Sequence, residues 1–445
     1  MKKLLLTAMT PICAALAAET PKAVPANDFL NSIGAVSSVS RRGENLDRSI
    51  ENLKYTGIRW LRVGYEDNAP PSDFIAAHKA TGVRFSFGLL SGGRDLDRLV
   101  REGRELAEAG ALVAIEGANE PNNFGPIVYQ GETGGLLEHS WLPLAKMHRD
   151  LYAKVKEDPV LKNYPVWSAT DVGAMTDNCG MQFLTIPKGV KTLMPGGTKF
   201  ADALNCHNYT AHPSWPGLHD NQTWIASLPN SQNRCNGPWS NFTRTWRKGF
   251  AGIPEKDLAS LPRVTTETGI RTGEHGVTDE VQARMYLNLY LSQFKQGWSH
   301  TAIYLFKTRG DELDHETLAF YKRDYSPKQA AHYLHNFTTI LADDPAKPTP
   351  NLAKLNYSIH NQPATTHDLL LQKTNGDLYL VLWGERFKSG GSDDIRVRLS
   401  KHFKRVYVYD PTTGVEPVQI LPNAITVPLS LTDHPVILRL TNNEE

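Results

Sequence analysis

The chain has 445 residues, and its 48 Lys and Arg residues against 47 Asp and Glu residues give a net charge of +1. This balance predicts no electrostatic binding to nucleic acid or to an anionic membrane surface. The composition, 40% hydrophobic and 21% charged, is typical of a folded globular protein and excludes disordered, collagen-like and coiled-coil chains. At about 150 residues per domain, the length predicts two or three domains, or one large barrel with an appendage.

The first residues have the pattern of a secretory signal. Lys2 and Lys3 precede an apolar run over residues 4–17, which ends in the small-residue pattern Ala15-Leu16-Ala17. This run is too short to cross a bilayer comfortably, and polar and Pro-spaced sequence follows it. We therefore expect a signal peptide over residues 1–18 that is cleaved, and a secreted or periplasmic mature protein with no membrane span.

Three cysteines remain beyond this segment, in a compartment where disulfides can form. Cys179 and Cys235 lie in polar, loop-like sequence, whereas Cys206 ends an apolar run. One disulfide and one free thiol is the simplest outcome, and this pattern favours a bridge between Cys179 and Cys235. The other pairings stay open because sequence alone does not fix connectivity.

From there on, short apolar runs alternate with amphipathic stretches of helical length, which predicts βα units around a parallel sheet. The predicted strands cover residues 32–37, 58–64, 83–90, 111–117, 164–169, 202–206, 263–266 and 301–306, and the predicted helices cover residues 45–55, 72–79, 96–109, 139–156, 280–295 and 328–341. Eight strands indicate an α/β fold, a TIM (β/α)8 barrel over residues 26–342. The helices of the fifth and sixth units are poorly defined.

After the barrel the pattern changes to an alternation of period two. A Pro-rich linker covers residues 343–350, and several short strands separated by turns such as Asn375-Gly376 follow it. This spacing is typical of antiparallel sheets. We expect a small all-β antiparallel sandwich over residues 351–445.

Two glutamates follow predicted barrel strands. The fourth strand leads into Asn119-Glu120-Pro121, and the seventh leads into Glu267 in the sequence Thr-Glu-Thr-Gly. The carboxyl ends of barrel strands meet at one rim, so the two carboxyl groups converge there. Such a pair suits glycosidic bond cleavage, in which one carboxylic acid protonates the leaving oxygen and the other carboxylate meets the oxocarbenium-like centre. A separation of about 5–5.5 Å gives retention, and about 6.5–9.5 Å gives inversion.

These two signatures resemble those of the clan A glycoside hydrolases, which are retaining (β/α)8 enzymes and often carry a β-sandwich after the barrel. The resemblance implies that Glu120 is the acid/base and Glu267 the nucleophile. It implies that Asn119 binds the sugar 2-hydroxyl and that no cofactor or metal is needed. Each glutamate alone has a simpler interpretation, as a loop carboxylate that caps a helix. The occurrence of both glutamates at the ends of barrel strands favours a glycosidase.

Three further residues match the clan pattern. His207-Asn208-Tyr209 after the sixth strand is similar to the His-x-Tyr of many members, which implies that Tyr209 orients the nucleophile. Arg62 near the end of the second strand matches an arginine that supports the nucleophile carboxylate. A hydrogen-bonded pair of His207 and Tyr209 without substrate contact stays open, as does an ion pair of Arg62 with Glu66 or Asp67.

Glu116 lies on the fourth strand itself. By alternation it shares a strand face with Glu120, which places it inside the barrel. A buried carboxylate needs a partner such as Arg62. We expect Glu116 to be structural.

The chain departs from the clan at the eighth strand. Many members place a Trp there, whereas this chain has Tyr304 and Phe306 as replacements, followed by Lys307 and Arg309. We expect Tyr304 to bind substrate. Lys307, or Arg309, is expected to contact an acidic sugar or a substituent.

A long insert over about residues 210–260 carries Trp215, Trp224, Trp239 and Trp246. Aromatic planes on a rim loop suit the apolar faces of sugar rings. We expect one or two of them, Trp215 among them, to contact sugar, and the alternative is a packed hydrophobic loop.

The sequence thus predicts a secreted retaining glycosidase that cleaves a β-linked or α-L-arabinofuranosyl-type bond in an oligo- or polysaccharide. A non-hydrolytic glycan-binding accessory protein on a degenerate barrel and a transglycosylase with the same carboxylates are the alternatives. Sugar identity, linkage, endo or exo action and oligomeric state stay open, because they depend on loop shapes and surfaces rather than on the catalytic pair.

Overall fold

The structure is a computed structural model, and it describes residues 21–90, 93–121, 124, 126–134, 142–170, 198–210, 218–228, 262–273, 276–309, 317–348 and 350–442. These residues form a parallel barrel and a C-terminal antiparallel sheet. Among the helices in these ranges, none combines the length and the apolar character of a membrane span.

The barrel contains all eight predicted strands. They are Ile33–Val36, Trp60–Gly64, Arg84–Leu89, Leu112–Ala118, Val166–Trp167, Leu204–Asn205, Arg263–Thr268 and Trp298–Ile303. The first strand pairs with both the second and the eighth, and every pairing is parallel. A parallel bridge between Trp167 and Ala203 joins the fifth strand to the segment entering the sixth. The TIM barrel fold is therefore confirmed.

Helices surround these strands at nearly the predicted positions. The α-helices in the described ranges are Ala26–Asn31, Leu46–Thr56, Pro71–Thr81, Leu96–Glu108, Leu142–Glu157, Gln222–Ser227, Asp279–Lys295 and Gln329–Leu341, with 3-10 turns at Tyr65–Asp67 and Leu161–Asn163. Asn45, Asp95 and Thr278 each accept a backbone N–H at a helix start, which satisfies one otherwise unpaired donor. A short hairpin of Ile127–Tyr129 and Glu132–Gly134, which the sequence pattern did not predict, follows the fourth strand.

The C-terminal region is an antiparallel sheet that folds over on itself. Its strands are Tyr357–His360, Thr366–Gln372, Leu378–Gly384, Asp393–Tyr409, Pro417–Leu431 and Pro435–Thr441. The long strand Asp393–Tyr409 pairs through its first half with Tyr357–His360 and through its second half with Pro435–Thr441. The enclosed apolar core includes Leu380 and Val397, both fully buried.

The two parts of the fold share apolar packing and polar contacts. The strand Val24–Pro25, ahead of the barrel, pairs in parallel with Leu371–Gln372 of the C-terminal sheet. The Trp224 ring stacks on His367 with centroids 3.9 Å apart. Glu385 is fully buried and accepts hydrogen bonds from the backbone N–H groups of Thr223 and Trp224. The C-terminal sheet therefore supports a short helix that follows the sixth barrel strand.

Candidate active site

Glu120 and Glu267 meet at the carboxyl-terminal rim of the barrel. The fourth strand, Leu112–Ala118, ends two residues before Glu120, and Glu267 lies in the seventh strand, Arg263–Thr268. A carboxylate oxygen of each residue and a ring nitrogen of His207 all lie within 4.8 Å of one another. Glu120 is buried, and the Glu267 side chain is 13% exposed. The structure thus brings the two predicted carboxylates close enough to contact the same few atoms of a bound molecule.

The backbone at Glu120 has an unusual conformation. Its φ is +40°, in the left-handed region that residues other than glycine seldom adopt. The Glu120 N–H donates to Thr170 Oγ1 at 3.4 Å, and the Glu120 carbonyl accepts from Phe124 N at 3.1 Å. Backbone outliers of this kind concentrate at functional sites. Glu120 is therefore held in a strained conformation that its surroundings determine.

Arg62 connects the carboxylates from the second strand. Its guanidinium donates to Glu267 Oε1 at 2.6 Å, to Glu116 Oε1 at 2.9 Å and to Asn119 Oδ1 at 2.8 Å. Burial alone would lower the pKa of Arg62, but the Glu116 and Glu267 carboxylates outweigh it and raise that pKa above its usual value. The ion pair of Glu116 with Arg62 inside the barrel is confirmed. Both ion pairs of Arg62 in the described residues lead into the barrel, and neither joins it to the 3-10 turn Tyr65–Asp67.

Tyr209 and His207 approach the pair from the segment that follows the sixth strand. The Tyr209 hydroxyl donates to Glu267 Oε2 at 2.8 Å. Burial, then the charges of Glu267 and Glu120, raise the pKa of Tyr209 well above its usual value, so the hydroxyl keeps its proton. His207 Nδ1 lies 2.6 Å from Glu120 Oε1 and 3.6 Å from Glu267 Oε2. His207 is fully buried.

A second set of polar side chains lies beneath these groups. The Thr266 hydroxyl donates to Glu116 Oε1 at 2.9 Å, and His207 Nε2 lies 3.1 Å from Thr266 Oγ1. Asn205 Nδ2 donates to the same hydroxyl oxygen at 3.0 Å. Neither Thr266 nor Asn205 was predicted as a site residue. Both lie within two positions of a predicted site residue, Glu267 or His207. Closeness in sequence does not reveal which side chains meet in the fold.

The residues after the eighth strand occupy two environments. Tyr304 is buried in a cluster that Tyr209 contacts, and the Arg309 guanidinium lies 5.7 Å from the centre of its ring. Lys307 Nζ donates to Gly43 O at 2.9 Å and to Thr308 O at 3.0 Å. These carbonyls account for the position of the Lys307 ammonium, and its contact with a substrate stays a prediction.

Other predicted site residues lie apart or outside the described residues. Trp224 packs on His367 of the C-terminal sheet, as the packed-loop alternative expects. Trp215, Cys179 and Cys235 lie outside the described residues, so the sugar contact and the disulfide stay predictions. Cys206 is fully buried.

The spacing of Glu120, His207 and Glu267 would also fit a small cation. Arg62, however, already places a positive charge against Glu267, with Nη1 and Oε1 2.6 Å apart. A divalent cation bound to the same carboxylate would lie close to this buried guanidinium, and the two like charges would repel. The donor set therefore fits a carboxylate pair for acid and nucleophile work better than a metal centre.

Comparisons with known proteins agree on the fold. No family model and no curated relative matches the chain. A family 39 glycoside hydrolase from the gut symbiont Bacteroides cellulosilyticus WH2 aligns with 95% of this chain and 83% of its own, at 15% identity and a TM-score of 0.54. The GH51 arabinofuranosidase from Xanthomonas axonopodis pv. citri aligns with 95% of this chain and 98% of its own, at 12% identity and a TM-score of 0.54. An endo-β1,6-glucanase aligns with 96% of this chain and 93% of its own, at 11% identity and a TM-score of 0.50. The chain thus has the barrel-and-sandwich fold of these clan A glycoside hydrolases.

Proposed function

We propose that this protein is a retaining glycoside hydrolase with Glu267 as nucleophile and Glu120 as acid/base. The observation that carries the proposal is the spacing of the two carboxyl groups, with one oxygen of each within 4.8 Å of the other. Retaining enzymes space these groups about 5–5.5 Å apart, whereas inverting enzymes need about 6.5–9.5 Å to admit a water. This close approach supports direct attack by Glu267 rather than attack by an intervening water.

The first step breaks the glycosidic bond. Glu267 attacks the anomeric carbon and forms a carbon–oxygen bond, while Glu120 gives its proton to the departing oxygen. Arg62 donates to one Glu267 oxygen and Tyr209 to the other, and both bonds favour the ionised nucleophile. In the second step Glu120 takes a proton from water, the water oxygen bonds to the anomeric carbon, and Glu267 leaves as a carboxylate.

The substrate is proposed to be a β-linked or α-L-arabinofuranosyl-type oligo- or polysaccharide. The structural neighbours named as an arabinofuranosidase and an endo-β1,6-glucanase support this range of substrates. Asn119, held by Arg62 beside Glu120, is proposed to bind the sugar 2-hydroxyl. We further propose that the mature protein is secreted or periplasmic, on the pattern of residues 1–18.

The test is reducing-end release from a panel of β-linked and arabinofuranosyl glycans and aryl glycosides. Wild-type protein is run beside Glu267→Ala, Glu120→Ala and a control, Glu51→Ala, whose side chain is 61% exposed. Turnover by wild type and control with loss in Glu267→Ala supports the proposal. Azide should restore turnover of an activated aryl glycoside in Glu120→Ala and yield the β-azide from a β-glycoside, because azide needs no base to attack the glycosyl-enzyme.

Three outcomes would contradict the proposal. Glycan binding without turnover on the whole panel would favour the accessory protein. Products formed mainly by transfer to a second sugar would favour the transglycosylase, since only the acceptor differs. An inverted first-formed product in wild type would remove Glu267 from the nucleophile role.

A further inference from the structure

A continuous chain of buried polar atoms leads from the barrel interior to the proposed acid/base. Glu116, Thr266 and His207 are each at most 1% exposed, and Glu120 is 4% exposed. The links are 2.9 Å from Thr266 Oγ1 to Glu116 Oε1, 3.1 Å from His207 Nε2 to Thr266 Oγ1, and 2.6 Å from His207 Nδ1 to Glu120 Oε1. All three are hydrogen-bond distances. Each link must therefore have one donor and one acceptor.

Counting protons along this chain fixes the direction of each bond. Glu116 Oε1 also accepts from Arg62 Nε at 2.9 Å, so Glu116 is an ion-paired carboxylate and can only accept. The Thr266 hydroxyl has one proton and two acceptors within reach, Glu116 Oε1 at 2.9 Å and Asn205 Oδ1 at 3.2 Å. The nearer and charged Glu116 oxygen takes the proton. The hydroxyl oxygen of Thr266 already accepts a hydrogen bond from Asn205 Nδ2 and has one lone pair left. His207 Nε2 must then donate to Thr266.

The direction of the hydrogen bonds at His207 decides whether Glu120 carries a proton. In a neutral imidazole with the proton on Nε2, Nδ1 can only accept a hydrogen bond. A contact of 2.6 Å between Nδ1 and Glu120 Oε1 then needs a proton on Glu120. We propose that Thr266, held by Glu116, is a positioning residue that fixes the His207 tautomer and so keeps the catalytic proton on Glu120.

The competing arrangement moves the same proton to His207. An imidazolium would donate to a Glu120 carboxylate, with Glu267 Oε2 3.6 Å from Nδ1. It would separate charge between two side chains that are both buried, which desolvation disfavours. The other charged or titratable groups at this point are Arg62, which pairs with Glu267, and Tyr209, which keeps its proton.

The His207 tautomer also affects the second step of the reaction. This catalytic effect rests on the proposed glycosidase function. Once Glu120 has given up its proton, its carboxylate faces the lone pair of His207 Nδ1. The two acceptors repel, which raises the affinity of Glu120 for a proton. Glu120 is thereby made a stronger base toward the incoming water, while Thr266 prevents the imidazole from taking the other tautomer.

The direct test is the nitrogen spectrum of His207 in labelled protein. Wild type should show an unprotonated Nδ1 and a protonated Nε2 near neutral pH, assigned with His207→Gln as the reference. Thr266→Val removes the hydroxyl, and we expect Nδ1 to become protonated. Thr266→Ser restores the hydroxyl and should restore the wild-type pattern. This readout needs no substrate, so it remains informative even if the proposed glycosidase activity fails.

The kinetic test uses the alkaline limb of the pH profile. In Thr266→Val, Nδ1–H donates to the Glu120 carboxylate, so the limb should move by about one unit to lower pH. Turnover should fall about tenfold or more with poor leaving groups and less with activated aryl glycosides. The matched control is Thr268→Val, because Thr268 is a buried threonine of the same strand whose hydroxyl donates to Asn208 O at 3.0 Å.

Two results would overturn the proposal. Two protonated ring nitrogens in wild-type His207 would show the imidazolium arrangement. Equal shifts of the pH limb in Thr266→Val and Thr268→Val would reduce Thr266 to a packing role. Thermal unfolding of each variant separates both results from a general loss of fold.

Discussion

Arg62 and Glu267 lie 205 positions apart in the chain and 2.6 Å apart in the structure, where Nη1 of the guanidinium meets Oε1 of the carboxylate. The second and seventh strands meet in this pair because the barrel closes. The guanidinium also holds Glu116 and Asn119. One buried cation therefore orders the proposed nucleophile, an interior carboxylate and the residue beside the acid/base.

Replacing Arg62 should damage both activity and stability. Lysine keeps the charge, but one ammonium does not reproduce the planar fork that reaches three partners. We expect Arg62→Lys to lower kcat about 10²-fold or more, as for loss of one catalytic hydrogen-bond donor. Arg62→Met leaves two carboxylates without their cation and should cost about 3–5 kcal/mol of unfolding free energy.

The measurement combines steady-state kinetics with denaturant unfolding. Arg48→Lys is the control, because Arg48 forms an exposed ion pair with Glu51 and such pairs contribute about 0–1 kcal/mol. An Arg62→Met protein as stable as wild type would show that water or another cation reaches these carboxylates.

Removing the Tyr209 hydroxyl should slow catalysis and leave the alkaline limb of the pH profile in place. Burial and the charges of Glu267 and Glu120 hold the pKa of Tyr209 well above its usual value. The hydroxyl therefore does not titrate in the assay range. Tyr209→Phe should lower kcat about 10- to 100-fold through the lost bond to Glu267 Oε2. A pH–rate profile that lost its alkaline limb in this variant would contradict that assignment.

The barrel and its two rim glutamates were predictable because each rests on a local pattern. The fourth strand is a mostly apolar run, and polar residues begin just after it, at Asn119 and Glu120. Glu267 lies near the end of the short seventh strand, where Val264 and three threonines precede or follow it. Alternation along the fourth strand also placed Glu116 inside the barrel. These features depend only on residues near one another in the chain.

The connections between side chains were less predictable. Thr266 is an ordinary strand residue by type. Its role depends on Glu116 in the fourth strand and on His207, which lies two residues after the sixth strand. Lys307 follows the eighth strand at the rim, yet backbone carbonyls of Gly43 and Thr308 accept from its ammonium. The hairpin at residues 127–134 has three-residue strands, too short for a periodic signal.

His434 should make the C-terminal sheet sensitive to alkaline pH. Burial alone would lower its pKa, but hydrogen bonds to Asp410 and Asp433 raise the pKa to about 9, from 6.5. The folded state thus holds this proton more tightly than the unfolded state. The resulting stability is fully present below pH 6.5 and is lost as pH rises through about 9.

We expect His434→Gln to lower the unfolding free energy at pH 6 by up to about 3 kcal/mol, and to have much less effect at pH 9.5. The exposed His402 provides the control, as His402→Gln. Denaturant unfolding at several pH values measures the difference. A loss that does not depend on pH would mean that packing, not charge, explains the effect.

Glu385 couples the C-terminal sheet to the helix Gln222–Ser227, and its charge should lower stability at neutral pH. Burial raises the pKa of Glu385 to about 7, from 4.5, against the hydrogen bonds from Thr223 and Ser292 that lower it. Between these pH values the folded state holds a proton that the unfolded state releases. Stability should therefore fall as pH rises from about 4.5 to about 7 and then stay level, by up to about 3 kcal/mol in all.

The variant Glu385→Gln tests this because it removes the charge and keeps the shape. Its amide oxygen can accept from the N–H groups of Thr223 and Trp224, and its amide nitrogen can donate to the hydroxyls of Thr223 and Ser292. We expect the unfolding free energy of this variant to equal that of wild type near pH 4.5, to stay level as pH rises, and to exceed that of wild type above pH 7. Glu416→Gln, at an exposed position, should follow the wild-type curve. A Glu385→Gln protein less stable than wild type at pH 8 would show that the ionised carboxylate binds the helix N–H groups strongly enough to outweigh its burial.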